Sequence, residues 1–408
     1  MKKIIALLMA LVLVLGLAAC GGNAAEADTF KVGAIYINSK NDTAGYTFAH
    51  HNGITTAMKE LGLDVEKQLV IVDEVPEDKQ KVLDAVDTLV GEGADIVFGI
   101  SFGYIDALEE ASAAYPDVIF SHGTGYKANE TNFNNYFGRI YQARYLAGIA
   151  AGLKALEMGN DKIGYVAAHT TDYAETASGI NGFALGVQAV NPNAIVYVKN
   201  LNNWADEVNE KAYAEELISS FGCGVVSQHC DSAQPQIAAE NAGVFGCGYN
   251  SDMTPDAPKA HLTAAIWNWN VYYGTAIKAA MECEKAADFV TKMGGNAYYG
   301  GLKEGFVDVS PLSENCAPKT AEIIDTVKAM MVNGEWDVFS GVKLQIDAAT
   351  GTVTKVDAAL ESNGFMYVDG NFNVPMENSV VVEAGGASVD DGVIKGSMNY
   401  LVKGVEEA

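Results

Sequence analysis

Lys31-Val-Gly-Ala-Ile-Tyr-Ile37 is an almost unbroken apolar run, followed by a helical pattern over Thr47 to Leu61 that Gly62 ends. The unit then repeats. Leu69-Val-Ile-Val72 precedes a helix over Asp78 to Gly91, with Val82, Val86, Leu89 and Val90 on one face. Ala94-Asp-Ile-Val-Phe98 precedes one over Tyr104 to Ala114, stopped before Pro116, and Val118-Ile-Phe120 is again a strand. Short apolar strands alternating with amphipathic helices are the signature of βαβ units on a parallel sheet.

Outward from there the alternation restarts after Asn134. Tyr141 to Leu156 reads as a helix and Lys162-Ile-Gly-Tyr-Val-Ala-Ala168 as a strand. Helices follow over Ile180 to Val190 and Asp206 to Ser220, with strands over Ala194 to Lys199, Gly224 to Gln228, Gly243 to Cys247 and His261 to Trp269. Beyond Val307 the pattern fades into one helix, Ala321 to Val332, then Gly- and Asp-rich β-like segments over Val338 to Val356, Met366 to Val374 and Val380 to Glu383, and a closing helix over Ile394 to Val405. The expected fold is α/β: two Rossmann-like doubly wound lobes with a small C-terminal β-rich appendage. In such sheets ligands bind beyond the carboxyl ends of the strands.

A chain of 408 residues suits two lobes better than one core. With 49% hydrophobic and 19% charged residues, disorder and coiled coil are excluded. The net charge of −26 repels phosphate backbones, so nucleic acid is not an expected partner. Met1-Lys-Lys heads an apolar run from Ile4 to Leu17, shorter than the roughly 20 residues of a spanning helix, so residues 1–19 read as a signal peptide. Gly21 to Asp28 is then a flexible tether, and residues 20–29 form the linker to the body. The cysteines Cys223, Cys230, Cys247, Cys283 and Cys316 have no zinc-ligand spacing and read as buried free thiols.

Several motifs carry candidate chemistry. Gly99-Ile-Ser-Phe-Gly103 has the G-x-S-x-G form of a nucleophile elbow at a strand–helix junction. A hydrolase built on Ser101 would need an acid and a histidine, for which His122, His169, His229 and His261 are available. The same glycine turn equally lets a ligand approach the backbone. Gln228-His-Cys-Asp-Ser232 reads as a polar loop lining a cleft rather than a metal site. Tyr46, Phe102 and Trp204 stand near strand ends, and Trp267 and Trp269 alternate on one strand and so share a face. Arg139 and Arg144 are the only arginines, and they read either as two planar forks that lysine cannot replace or as an inter-lobe or helix-cap salt bridge.

Leu17-Ala-Ala-Cys20 resembles the bacterial lipobox, which implies cleavage before Cys20 and a lipid on its thiol. The body resembles the basic membrane protein (BMP) family of substrate-binding lipoproteins of ABC importers. The likeness is carried by Tyr141-Gln-Ala-Arg-Tyr-Leu-Ala-Gly-Ile-Ala-Ala-Gly152, Ile180-Asn-Gly-Phe-Ala-Leu-Gly186, Val226-Ser-Gln-His-Cys-Asp-Ser232, Gly248-Tyr-Asn-Ser-Asp-Met253 and the segment His261 to Trp269. It implies a type I periplasmic-binding-protein fold, with residues 30–137 plus 270–305 in one lobe and 138–269 plus 306–408 in the other. By motif, Tyr46 and Thr47 stand at the first stacking position, Trp204 near the second, Asn250 in place of a ribose-binding Asp and Trp267 in place of a Lys. The resemblance therefore implies an extracytoplasmic, lipid-anchored protein on the outer face of the cytoplasmic membrane. It would capture a purine base, without catalysis or cofactor, and serve an ABC permease and ATPase. The expected ligand contacts are Tyr46, Thr47, Phe102, Gly103, Gly123, Trp204, Gln228, Asp231, Gly248, Asn250, Asp252, Trp267 and Trp269. A nucleoside receptor, a Ser101 hydrolase and a sensor lipoprotein are the alternatives.

Overall fold

The computed structural model describes residues 29–43 and 45–408. The signal segment, Cys20 and nearly all of the tether lie outside the described residues. Two sheets account for the body. The first holds β1 (Val32–Tyr36), β2 (Leu69–Val72), β3 (Ile96–Ile100), β4 (Ile119–Gly123) and β5 (Phe133–Gly138). The second holds β6 (Lys162–Ala167), β7 (Ile195–Asn200), β8 (Val225–His229), β9 (Phe245–Asn250) and β10 (His261–Trp267). In each, the first strand pairs in parallel with both the second and the third, giving the order 2-1-3-4-5 twice. Helices cover both faces, which is why strands such as Val32–Tyr36 are buried at every position and read as continuous apolar runs.

The chain passes between the sheets three times: after β5, between β10 and the helix Trp269–Met281, and between β11 (Ala297–Gly300) and β12 (Val307–Val309). β11 completes the first sheet in parallel to β5, and β12 adds antiparallel to β10 in the second. In the second lobe the helices Ile140–Met158 and Ala174–Val190 pack backbone to backbone. A Cβ on Gly148 would run into the Phe183 carbonyl, and one on Gly186 into the Tyr145 carbonyl.

Three elements differ from the sequence reading. Trp269 does not share a strand with Trp267: the strand ends at Trp267, where the chain crosses to the first sheet, and Trp269 opens a helix. The helix expected from Ile180 begins at Ala174. The expected closing helix is short, Asp391–Gly396, and the chain then returns as strands Tyr400–Val402 and Val405–Glu407, the latter parallel to β7. Gly404, at φ 86°, makes the turn that lets Val402 and Val405 both bury. The appendage is antiparallel, as expected, from the hairpin Val342–Asp347/Thr352–Asp357 onward.

Candidate functional site

In a 2-1-3-4-5 sheet the crevice opens where the strand order reverses, beside the first and third strands. Residues following β1 and β3 should therefore face those following β6 and β8. They do. A Cβ on Gly45 would lie 2.6 Å from the Asp231 carbonyl, so the two walls touch across the cleft. Phe102 and Tyr173 meet edge-on at 6.4 Å nearer the mouth.

The first-lobe wall is the start of the helix Gly45–Glu60. Thr47 is buried with no partner for its hydroxyl, and the buried Tyr46 hydroxyl has only Thr124 beside it, without a well-aligned hydrogen bond. The second-lobe wall carries His229 at the end of β8, Glu175 in the first turn of the helix Ala174–Val190, Asp231 and Asn250. Asn250 donates to Asp231 Oδ1 at 3.0 Å, which leaves its own Oδ1 buried and unpartnered. His229 Nε2 lies 3.1 Å from Glu175 Oε1 but out of line, and neither atom has a hydrogen bond. Beneath them Arg144 is 1% exposed, stacks 3.9 Å over the Tyr249 ring, donates through Nη1 to the Gln228 carbonyl at 2.5 Å, and leaves Nε and Nη2 without partners.

Burial, followed by the charge of Glu210, pushes the Asp231 carboxyl up to about 7. Burial and the Arg144 charge push His229 down to about 4. The cleft thus holds a neutral imidazole and a carboxyl poised between its acid and carboxylate forms near neutral pH. Outside these groups stands an aromatic collar. His169 lies against Tyr173 at 4.3 Å and Trp204 at 5.2 Å, and Trp204 is 37% exposed.

Of the residues expected to contact a ligand, Tyr46, Thr47, Phe102, Trp204, Asp231 and Asn250 come together at this cleft. Gly103 and Gly123 lie in its first-lobe wall: the Gly103 N–H is taken by Glu77, and the Gly123 carbonyl by Thr124. Gln228 presents no edge to the cleft. It is fully buried, its amide donates to the Cys230 and Ser232 carbonyls, and its oxygen accepts from Gln236. A Cβ on Gly248 would meet Met253 and His261 inside the lobe, and Asp252 holds Thr254 and approaches His261. Trp267 and Trp269 stack on each other at 4.6 Å, with Phe137 on one side and His50 on the other, at the passages between the lobes. They also line a hollow of about 180 Å³ with Asn52 and Asn250, on the flank of the helix Gly45–Glu60.

Glu175, His229 and Thr171, which carry buried unpartnered polar atoms, were not among the expected contacts. Strand-end position was the usable signal, since all three follow β6 or close β8. Ser101 is no elbow nucleophile. Its hydroxyl donates to Glu77 at 2.5 Å, and His122 contacts its carbonyl rather than Oγ. All five described cysteines are free.

Two α/β lobes joined by three passages, with a crevice where the strand order of both sheets reverses, have the architecture of periplasmic-type solute-binding proteins. The chain belongs to the Bmp family, described as ABC transporter substrate-binding protein PnrA-like, over residues 30–337. It is 32% identical over 322 residues to TsgA13 of Haloferax volcanii, named as an ABC transporter glucose-binding protein, covering 79% of this chain and 77% of that one. It is equally 32% identical over 324 residues to the purine-binding protein BAB2_0673 of Brucella abortus, covering 79% and 86%. Among solved structures, an ABC transporter solute-binding protein from Conexibacter woesei aligns with a TM-score of 0.60 at 18% identity, over 76% of this chain and 98% of that one, a likeness of fold.

Proposed function

We propose that this protein captures a purine base or similar flat heterocycle between its lobes. A lipid on Cys20 would hold it on the outer face of the cytoplasmic membrane, where it delivers its ligand to an ABC permease driven by its ATPase. The observation that carries the reading is the meeting of aromatic faces with unpartnered buried polar atoms in one crevice: Tyr46 and Thr47 against Glu175, His229 and Asn250. A flat ring gains roughly 1–3 kcal/mol per stacked aromatic face, and polar edge groups fix its orientation. The purine-binding relative, alike over most of both chains, supports the same ligand class. A free base suits the site better than a nucleoside. Asn250 spends its amide donor on Asp231, and Trp267 is held by Tyr249 and Phe137, so neither offers the paired ligands a ribose needs. Closure of the lobes around the ligand is the signal read by the permease.

The test is thermal unfolding of residues 28–408 with adenine, adenosine and D-glucose. A ligand at 100 times its Kd stabilises by about 2.7 kcal/mol. A shift with adenine exceeding that with adenosine is expected. A shift with glucose and none with either purine would replace the purine reading by a sugar one.

A further inference from the structure

Glu175 is a carboxylate in search of a partner. Its side chain is 16% exposed, and its Oε1 is buried without a hydrogen bond. No lysine or arginine among the described residues pairs with it, and His229, though 3.1 Å away, is out of line. It stands in the first turn of the 17-residue helix Ala174–Val190, the end of a helix that favours negative charge. Its charge acts on Tyr46 of the opposite lobe as well as on Asp231 and Tyr249 of its own. Beside it the free atom of Asn250 is also an oxygen acceptor. A buried carboxylate left unpaired is costly, and a fold keeps one where a ligand supplies the missing donor.

Building on the purine reading above, we infer that Glu175 selects the ligand by its hydrogen-bond donors, taking heterocycles with an exocyclic amine and rejecting those with an oxo group there. An amine donates to Glu175 Oε1. An oxo oxygen at that place faces a carboxylate, acceptor against acceptor, and leaves the buried charge unsatisfied. Sites built around a buried polar partner discriminate far more steeply than apolar pockets do.

The experiment is calorimetric titration of wild type and Glu175→Gln with adenine and hypoxanthine, alongside the unfolding temperature of each empty protein. Wild type is expected to bind adenine at least tenfold tighter than hypoxanthine. Glu175→Gln, nearly isosteric, should weaken adenine at least tenfold and hypoxanthine less than threefold. The empty variant should melt higher than empty wild type, because an uncompensated charge has been removed. Equal wild-type affinity for the two purines overturns the inference while leaving the purine reading intact. So does a Glu175→Gln loss that is equal for both, or a lower melting point of the empty variant, the mark of a merely structural carboxylate. If wild type binds neither purine, the purine reading and this inference fall together.

Discussion

The passages between the lobes and the cleft they close are made of the same material, aromatic rings at the ends of strands, and they use it in opposite ways. At the passages the rings cover one another, apart from the hollow beside Trp267 and Trp269. Phe137, Trp267, Trp269 and Phe306 come from the three separate crossings and stack or abut at 4.6 to 5.6 Å, and His50 covers Trp269 at 3.9 Å. In the cleft the rings are half open, as Phe102 and Trp204 are, and the polar atoms behind them lack partners. A strand-end aromatic is therefore not a ligand platform by position alone. What matters is whether the protein itself already covers the face.

The largest expected effect tests that division directly. Trp269 is 1% exposed and packs on His50, Trp267, Phe306 and Tyr136. Trp269→Ala should cost about 4–5 kcal/mol, a fall of roughly 8–10 °C in Tm, while ligand affinity of the folded fraction changes less than tenfold. Trp204→Ala should do the reverse, leaving Tm within about 2 °C, as expected for a partly exposed position. Loss of one stacking face should weaken binding by roughly 5- to 150-fold. Calorimetry on both variants reads the two quantities, and a shared profile would erase the distinction between hinge and cleft.

How far this division was legible in the sequence depended on where the decisive partner lay. The lobes were legible because strands buried on both faces become apolar runs; strand ends named Tyr46 and Asp231, and the family resemblance named Asn250. Two tryptophans two residues apart fit a strand as well as a strand end followed by a helix, so Trp269 could be placed only once His50 and Phe306 converged on it. Gln228 looked like a free amide because its partner Gln236 lies in the first turn of the next helix, eight residues on. Glu175 was missed because Ala174 to Gly179 contains no large apolar residue. Gly179 there packs against the His229 and Arg144 side chains, and the close backbone approach to the helix Ile140–Met158 begins at Gly182, so the turn carries no hydrophobic period to read.

The next effect is smaller and appears as pH dependence. Asp231 has its folded pKa raised from 3.8 to about 7, so its ionised form is disfavoured in the fold. Below pH 3.8 it is protonated in both states and costs nothing. As pH rises from 3.8 towards 7 the unfolded chain releases a proton that the folded one keeps, and stability falls, by at most about 4 kcal/mol, levelling off above 7. The buried histidines act in the opposite sense. His122, His229 and His261 are held down to about 4, so their contribution is complete above 6.5 and is lost as pH falls towards 4. Asp231→Asn isolates the first term. The difference between the wild-type and variant stability curves, from urea unfolding at pH 4 to 8, should slope downward against the variant and flatten above 7. A pH-independent difference would mean that Asp231 is already ionised in the closed cleft.

The smallest expected effect concerns what the appendage adds to the closed form. Arg139, at the first passage, donates through Nε at 3.1 Å and Nη2 at 2.5 Å to the two oxygens of Asp391, and through Nη1 at 2.7 Å to the Tyr299 carbonyl. Tyr299 belongs to β11 of the first sheet, whereas Asp391 and Lys395 come from the short helix near the C-terminus. The guanidinium and the Lys395 ammonium lie 4.9 and 5.0 Å from the same Tyr299 ring. The fork thus joins a first-lobe strand to a segment packed on the second lobe. Its strength is limited because Arg139 is 27% and Asp391 37% exposed, and partly solvated pairs contribute about 1 kcal/mol or less. That is nevertheless enough to tilt an open–closed equilibrium several-fold, since about 1.4 kcal/mol is a factor of ten. Asp391→Asn should lower Tm by no more than about 2 °C, yet enlarge the radius of gyration of the empty protein in small-angle scattering, with the ligand-bound radius unchanged. Arg139→Lys should behave alike, because a point charge cannot hold both carboxylate oxygens and the Tyr299 carbonyl in one plane. If neither substitution moves the empty radius, the fork braces the appendage alone, and closure is governed by the cleft and the aromatic passages.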